Sequence, residues 1–156
     1  MTNSKPVISC KNVWKLFGFA PEKYYKSLSE NKSYEDIQAD GYIAGVKDVS
    51  VDVFKGEMLV IMGLSGSGKS TLLRCMSRLH DITGGTIAID DQDIMSLEEK
   101  ELIDLRRNKM GMVFQSFGLL PHRSVLENVA FPLEMRGQSK RDRRDRALEV
   151  IKLVGL

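Results

Sequence analysis

The first part of the chain alternates apolar and polar positions in a way that predicts strands. The run "VISCKNVWKLF", residues 7–17, has β-branched residues early and aromatic residues late, which is typical of a strand. In "DVSVDVF", residues 48–54, valine occupies every second position. Residues two apart share one face of a strand. We therefore expect the valines on one face and Ser50, Asp52 and Phe54 on the other.

Two nearly continuous apolar runs have a different pattern. They are "MLVIM", residues 58–62, and "MGMVF", residues 110–114. Apolar runs of this length without alternation are typical of strands that are buried on both faces. Both segments are therefore predicted to be central strands of a sheet.

Apolar spacing and capping residues predict four helices. The first is expected from about Lys69 to Leu79, with apolar residues at helical spacing. The other three are expected to begin at capping boxes or related pairs. Those pairs are Ser96 with Glu99, Ser124 with Glu127, and Ser139 with Asp142. The last helix reaches Gly155, and glycine commonly follows the end of a helix.

Two further segments complete the predicted fold. Residues 21–40 are polar and helix-forming, begin with Pro21 and interrupt the strand pattern like an insertion. The run "TGGTIAIDDQDI", residues 83–94, is typical of a strand followed by a tight turn. Strands that alternate with helices predict an α/β fold, and the early strands, which have an antiparallel pattern, predict a mixed sheet.

The segment "GLSGSGKST", residues 63–71, carries the strongest functional signal. It matches G-x-x-x-x-G-K-[ST] between a predicted buried strand and a predicted helix, which is the context of a phosphate-binding loop. Backbone N–H groups and the positive end of the helix would cradle phosphates. Lys69 would supply charge toward the β- and γ-phosphates, and the Ser70 hydroxyl would ligate Mg²⁺. The residues predicted to bind nucleotide here are Gly63, Ser65, Gly66, Ser67, Gly68, Lys69, Ser70 and Thr71.

Composition narrows the class of protein. The 156 residues are 42% hydrophobic and 28% charged, as in soluble globular domains. A net charge of +2 is too small to indicate binding to nucleic acid or membrane. No apolar run approaches the roughly 18 residues of a membrane helix, and the first residues lack the apolar core of a secretory signal. Cys10 and Cys75 fit no metal or disulfide pattern, which predicts a reducing, cytoplasmic location.

A phosphate loop alone does not distinguish kinases, GTPases and transport ATPases, but residues 109–137 add a second motif. The run "KMGMVFQSFGLLPHRSVLENVAFPLEMRG" resembles the Q-loop region of ATP-binding-cassette (ABC) ATPases. The resemblance implies that Gln115 reaches the catalytic Mg²⁺ and the attacking water. Lys69 and Gln115 are then the expected catalytic residues, and Ser70 and Gln115 the expected metal ligands. "GGTIAIDDQDI" resembles a hairpin of that family, although Asp91 stands where glycine is usual, which is expected to strain the turn.

Several segments together resemble the ATP-binding subunit of glycine betaine/proline importers over nearly the whole chain. These are "VWKLFG", the insertion, "GVKDVSVDVFKGE", the phosphate loop and the Q-loop run. The resemblance implies ATP and Mg²⁺ as cofactors and a homodimer of ATP-binding subunits. It also implies a membrane-spanning permease, contacted through the segment after Gln115 at the inner face of the cell membrane. In ABC ATPases an aromatic side chain of the first strand stacks on adenine. Phe17 is the predicted residue, with Trp14 and Tyr42 as alternatives.

Three parts that this family needs are not found in the sequence: an LSGGQ-type signature, a Walker B strand ending in Asp and Glu, and a switch histidine. "TIAIDD", residues 86–91, has a Walker B-like composition, but its place after a Gly-Gly pair favours the hairpin. His80 and His122 are interpreted as surface loop residues. We therefore expect the N-terminal part of an ABC ATPase domain that cannot hydrolyse ATP by itself. The alternatives are a stand-alone P-loop kinase or NTPase, and a non-catalytic nucleotide-binding truncation product.

The resemblance also divides the chain into three parts. Residues 1–57 are expected to form β-subdomain strands with the helical insertion, residues 58–123 the P-loop core through the Q-loop, and residues 124–156 the start of a helical subdomain. "KRDRRDR", residues 140–146, is interpreted as a solvated helix face with i,i+4 ion pairs, because no aromatic residues are interleaved with its charges as in a nucleic-acid site. The same helix is expected to expose an apolar side around Leu148, Ile151 and Val154.

Overall fold

The structure is a computed structural model that describes residues 5–28, 32–114 and 118–156. The chain divides into two compact units, Met1–Glu98 and Glu99–Leu156. No helix among the described residues is long and apolar enough to cross a membrane.

The first unit is built on a four-stranded antiparallel sheet. Its strands are β1 (Ile8–Phe17), β2 (Ile43–Val53), β3 (Gly84–Ile89) and β4 (Gln92–Asp93). Their spatial order is β2-β1-β3-β4, so β1 pairs with both β2 and β3. The predicted alternation on β2 is confirmed: Val49, Val51 and Val53 are partly buried, whereas Ser50 and Asp52 are exposed.

The insertion between β1 and β2 folds as two short helices. Helix α1 (Pro21–Ser27) begins at Pro21, as predicted, and helix α2 (Tyr34–Ala39) is capped by Ser33. The Ser33 side chain accepts from the Asp36 N–H, and the Asp36 carboxylate accepts from the Ser33 N–H. Ile37 is the buried residue of the two helices. Ile37 is 0% exposed, and α2 packs on β2.

Helix α3 (Lys69–Met76) follows the phosphate loop and ends three residues before the predicted Leu79. Its buried face consists of Leu72, Cys75 and Met76. The helix ends early because Arg78 takes a left-handed conformation, with φ +49°. The Arg78 guanidinium then donates to the carbonyl oxygens of Ile94 and Leu97, which ties the end of the helix to the chain after the hairpin.

The two predicted buried strands are wrong. Residues 58–62 and 110–114 have no strand conformation, and Met58, Met62 and Val113 are at least 86% exposed. A segment becomes a central strand only where neighbours on both edges take its backbone hydrogen bonds. Within the described ranges, no strand pairs with either segment. Both runs are apolar, but within the described residues they do not form the pairing with neighbouring strands that this pattern predicts.

The second unit consists of three helices. They are α4 (Glu99–Lys109), α5 (Val125–Met135) and α6 (Lys140–Leu153). Helices α5 and α6 pack together and bury Ala130 and Ala147, two small side chains that permit a close approach.

Two of the three predicted caps are confirmed. Ser124 and Glu127 form a reciprocal capping box at α5, and the Ser139 hydroxyl accepts from the Asp142 N–H at α6. Gly155 follows α6 with φ +78°. The capping box at Ser96 is wrong: α4 begins only at Glu99, and the Ser96 hydroxyl donates to the carbonyl oxygen of Asp93 instead.

The charged face of α6 is exposed, as predicted, but its ion pairs differ. Arg146 pairs with Glu149 at 2.6 Å, and Arg143 lies 3.8 Å from Glu134 of α5. The predicted i,i+4 pairs within residues 140–146 are not found among the ion pairs of the described residues. At the end of the helix Leu148 is 46% and Val154 is 65% exposed, whereas Ile151 is partly buried, so two of the three apolar residues predicted to be exposed are so on this unit.

Candidate functional site: the phosphate loop and its surroundings

The phosphate loop joins an extended segment to the first turn of α3. Gly68 is the N-cap of the helix and has φ +88°, a conformation that favours glycine. A Cβ at Gly68 would also lie 2.1 Å from the carbonyl oxygen of Gly45 on β2. Both constraints explain why the motif needs glycine immediately before the lysine. The N-terminus of α3, with its free N–H groups and positive dipole end, therefore opens directly onto the loop.

Lys69 lies inside the loop. Its Nζ donates to the carbonyl oxygens of Gly63 at 2.8 Å and Leu64 at 2.6 Å, and to the Ser67 hydroxyl at 3.2 Å. The ammonium group is therefore held at the centre of the residues predicted to bind phosphate. A phosphate oxygen is a charge-assisted acceptor and stronger than a neutral carbonyl. The same Nζ is thus placed to exchange a loop carbonyl for a phosphate.

Ser70 and Thr71 follow the lysine on α3 and have different surroundings. Ser70 is exposed, whereas Thr71 is partly buried, with its methyl group toward Gly45 of β2. Mg²⁺ is usually held by one or two protein oxygens together with substrate phosphates, and an exposed Ser70 hydroxyl beside the loop fits that role. Among the described residues, no group of three or more His, Cys, Asp or Glu side chains is arranged to hold a metal ion.

Phe17 lies close to the phosphate loop through β2. It pairs with Ile43, and its ring lies over Gly45, where a Cβ would be 2.6 Å from Cε2. The ring is 37% exposed. His80 meets it edge-on, with 5.8 Å between ring centroids, and Lys15 Nζ lies 5.1 Å from its centroid. His80 is thus a neighbour of the aromatic residue, which the sequence did not indicate.

The two alternative aromatic residues are engaged by the insertion. Trp14 lies 5.8 Å from Tyr25 of α1 between ring centroids. Tyr42 stacks on Tyr24 of α1 at 3.9 Å with nearly parallel rings, and its hydroxyl donates to the carbonyl oxygen of Phe19. Each of these rings therefore already has an aromatic partner from the insertion, whereas the Phe17 ring lies against residues next to the loop.

Gln115, the predicted catalytic residue and metal ligand of the Q-loop, lies outside the described residues. The backbone from Leu120 to Ser124 is held by the Asn128 side chain within the second unit. The Asn128 side chain accepts from the Leu120 N–H and donates to the carbonyl oxygens of Leu120, Arg123 and Ser124. One side chain thus fixes the turn that joins the Q-loop run to α5. A single asparagine within a helical pattern was not recognised as this anchor.

The two acids of "TIAIDD" form a hairpin turn. Asp90 and Asp91 lie between β3 and β4 with φ +49° and +66°, and Ile89 pairs with Gln92 across the turn. Positive φ at both central residues is typical of a two-residue hairpin of type I′. The interpretation of this run as a hairpin is confirmed. The backbone at Asp91 is left-handed, a conformation that favours glycine, which agrees with the strain expected there.

Gly45 and the tyrosines of α1 are site features that sequence reasoning missed. An isolated glycine within a strand pattern is a known sign of a close approach by another group. Gly45 lies in "IAGVKDV" with that pattern, so the signal was available. The pairing of Tyr24 with Tyr42 and of Tyr25 with Trp14 had no comparable signal, because it depends on how the insertion docks.

Comparison with known proteins agrees with this geometry. The ABC transporter family model matches residues 46–156. The chain is 73% identical over 151 residues to a trimethylamine N-oxide transport system ATP-binding protein of Ruegeria pomeroyi, covering 97% of this chain and 44% of that protein. It is 45% identical over 150 residues to the glycine betaine/proline betaine transport system ATP-binding protein of Escherichia coli, covering 96% of this chain and 38% of that protein.

A solved structure gives the same result. The ATP-binding cassette MJ0796, solved as a dimer in a post-hydrolysis state with ADP and Pi, superposes with a TM-score of 0.74 and 36% identity. The match covers 96% of this chain and 57% of that one. The protein therefore belongs to the ABC transporter family and has the α/β fold of an ABC ATPase with a small antiparallel β-subdomain. It spans less than half the length of the two curated relatives.

Proposed function

We propose that this chain supplies the phosphate loop and base-binding strand of an ATP-binding subunit in an importer for fully substituted amines. The observation that carries the proposal is the phosphate loop with Lys69 at its centre, in a chain 73% identical to a trimethylamine N-oxide transport ATP-binding protein. Identity to the glycine betaine relative is lower, at 45%. Trimethylamine N-oxide and glycine betaine share a four-coordinate nitrogen that bears three methyl groups and a formal positive charge, next to a negatively charged oxygen group.

In this proposal each residue of the site has a separate role. The loop N–H groups and Lys69 bind the phosphates, Ser70 holds Mg²⁺ with them, and Phe17 stacks on adenine. Gln115 would be a ligand of the Mg²⁺ together with Ser70 and would orient the attacking water. The metal would neutralise charge on the phosphates, and the chain's own residues would orient them. ADP and Pi in the related cassette support the choice of ATP as the nucleotide.

The proposed partners are a second ATP-binding subunit and a membrane-spanning permease at the inner face of the cell membrane. The related cassette is a dimer, which supports the first. The permease would be contacted by the segment after Gln115. The part of that segment from Leu120 to Ser124 is suited to a docking role because the Asn128 side chain bonds to its backbone, so little ordering of that part is needed on binding.

The binding part of the proposal is tested by calorimetry with ATP and ADP in the presence of Mg²⁺. Lys69→Ala should remove most of the affinity because it removes the charge at the centre of the loop. Lys55→Ala is the matched control, since Lys55 is an exposed lysine in the turn before the loop. Equal nucleotide affinity in the unmodified chain and in Lys69→Ala would refute the role of Lys69.

Turnover is expected to be at background in these 156 residues alone. Lys69, Ser70 and Gln115 supply part of the charge stabilisation, but the sequence contains no LSGGQ-type run, and "TIAIDD" is a hairpin turn. Loss of one preorganised group typically costs about 10²–10³ in rate. The assay is phosphate release, with Lys69→Ala to detect contaminating ATPases. Steady turnover that Lys69→Ala abolishes would contradict this part of the proposal.

Transport is tested with the intact ATP-binding protein and its permease in vesicles. ATP-dependent uptake of trimethylamine N-oxide should exceed that of glycine betaine, and Lys69→Ala should abolish both. Uptake of neither amine would refute the cargo assignment and leave nucleotide binding unaffected.

A further inference from the structure

Gly45 lies at the point where three parts of the first unit meet. A Cβ at this position would lie 2.6 Å from Cε2 and 3.3 Å from Cδ2 of Phe17, and 3.1 Å from the Thr71 methyl carbon. Contacts below 3.0 Å are not tolerated without movement, so the ring would have to shift. The backbone φ of Gly45 is not in the left-handed region. The requirement for glycine here is therefore one of space rather than of conformation.

The backbone of Gly45 is also close to the end of the phosphate loop. Its carbonyl oxygen would lie 2.1 Å from a Cβ at Gly68, the N-cap of α3. Strand β2 and the phosphate loop are thus in contact through Gly45 and Gly68, and the Phe17 ring lies against Gly45 as well. Gly45 is therefore in close contact with the Phe17 ring and with the N-cap of α3.

Resting on the proposed function, we propose that Gly45 is a positioning residue of the nucleotide site. Because it has no side chain, the Phe17 ring lies close enough to the phosphate loop for one nucleotide to be bound by its base and its phosphates together. A side chain here would displace the ring, since its Cβ would lie 2.6 Å from Cε2, whereas the 3.1 Å contact with the Thr71 methyl carbon requires a shift of only a few tenths of an ångström on the side of the loop. Gly45 does not itself touch the phosphates and acts through Phe17.

The insertion leaves the Phe17 ring without a replacement for base binding. Trp14 and Tyr42 are paired with Tyr25 and Tyr24 of α1, so neither ring is placed to substitute for a displaced Phe17. Displacement of the Phe17 ring should therefore weaken binding of the base directly.

The test compares ATP with inorganic tripolyphosphate, which has the phosphates and no base. Gly45→Ala should weaken ATP binding roughly 5- to 150-fold, the range for losing one base–aromatic stack, and change tripolyphosphate binding by less than about 2-fold. Both affinities are measured by calorimetry with Mg²⁺ on the 156-residue chain. A general loss of stability would not separate the two ligands in this way.

Gly84→Ala is the matched control. A Cβ there would lie 2.2 Å from Cζ of Tyr25, so it causes a similar clash with an aromatic ring of the same unit, but on the side of the insertion. It should alter the fluorescence of Trp14, which packs on Tyr25, and leave ATP affinity unchanged. An equal loss of ATP affinity in both variants would overturn the proposal, since the effect would then be structural.

A double-variant cycle identifies the route of the effect. Phe17→Ala should reduce the affinity for ATP and leave the affinity for tripolyphosphate unchanged. Adding Gly45→Ala to the Phe17→Ala variant should cause no further loss of ATP affinity, because the ring that would collide with the new side chain is absent. The double variant also removes the 2.6 Å clash and so remains informative if Gly45→Ala does not fold. Additive losses would overturn the proposal.

The remaining outcomes are distinct. Equal weakening of ATP and tripolyphosphate by Gly45→Ala, or no weakening of either, would overturn the role of Gly45 and leave the proposed function standing. Failure of the unmodified chain to bind both ligands would overturn the proposed function and this inference with it.

Discussion

Replacement of Ile37 by alanine would test whether the insertion is part of the folded core. Ile37 is fully buried, at 0% exposure, and it is the buried residue of the two insertion helices. The substitution removes three buried carbons, each worth about 0.8 kcal/mol, so the lost transfer free energy is about 2.4 kcal/mol. A residual cavity brings the expected loss of unfolding free energy into the range of about 2–5 kcal/mol.

Urea unfolding followed by tryptophan fluorescence measures this loss. Trp14 is the single tryptophan of the chain and packs on Tyr25 of α1, so its signal reports on the first unit and the insertion together. With a urea m-value of about 1–3 kcal/mol/M, the transfer term of about 2.4 kcal/mol by itself should lower the midpoint by about 0.8–2.4 M. The m-value itself should not change.

Ile43→Ala is the matched control, because it makes the same change of side chain at an exposed position. Ile43 is 66% exposed at the start of β2, and the same three carbons should contribute less than about 1 kcal/mol there. If Ile37→Ala unfolds within about 0.5 kcal/mol of the unmodified chain, α2 is not anchored in the core and the docked insertion is refuted. Equal losses in the two variants would refute the burial argument.

Three further predictions concern local structure. Asp91→Gly should raise the unfolding free energy by up to about 1 kcal/mol, because glycine adopts φ +66° without the steric cost of a side chain, about 1–2 kcal/mol, while the exposed ion pair of Asp91 with Lys5 is lost; urea unfolding measures it, and Asp91→Asn, which keeps a side chain and loses the same ion pair, should give no such gain. Hydrogen bonds from Ser124 lower the pKa of Glu127 below 4.5, so their stabilisation of α5 is present above pH 4.5 and is lost as pH falls through the lowered pKa. Circular dichroism from pH 5 to 2 should show that loss of helix. Ser124→Ala should be less stable by about 1 kcal/mol, and its loss of helix between pH 5 and 2 should be smaller than that of the unmodified chain. Burial raises the pKa of Cys10 to about 11 and raises that of Cys75, so iodoacetamide at pH 8 should leave both thiols unmodified until urea unfolds the chain.

Elements whose signals are local were predicted correctly. The caps at Ser124 and Ser139 form because a hydroxyl and an N–H three residues later meet in any helix start. The valines of β2 share a face because strand side chains alternate. Pro21 begins a helix because its missing N–H is not needed there. Each of these features depends on a few adjacent residues, which the sequence specifies directly.

Elements that depend on distant partners were predicted less well. The runs at residues 58–62 and 110–114 have the composition of buried strands, but no described strand pairs with them. Ser96 was predicted to cap α4, yet its hydroxyl donates to Asp93 after the β3–β4 hairpin has placed that carbonyl nearby. In both cases the local pattern was compatible with more than one arrangement, and contacts elsewhere in the unit selected between them.

The sequence by itself determined the phosphate loop, since glycine spacing, Lys69 and Ser70 lie within one short run and act through backbone geometry that adjacent residues impose. The resemblance of its motifs to those of ABC ATPases made an aromatic residue of the first strand a candidate for base binding. Only the tertiary structure decided which aromatic ring lies beside the loop. Phe17 is seated there because β2 brings Gly45 between the ring and α3, while the insertion engages Trp14 and Tyr42. Such a choice arises from packing between segments distant in sequence, and packing follows from shape and space that no local pattern encodes.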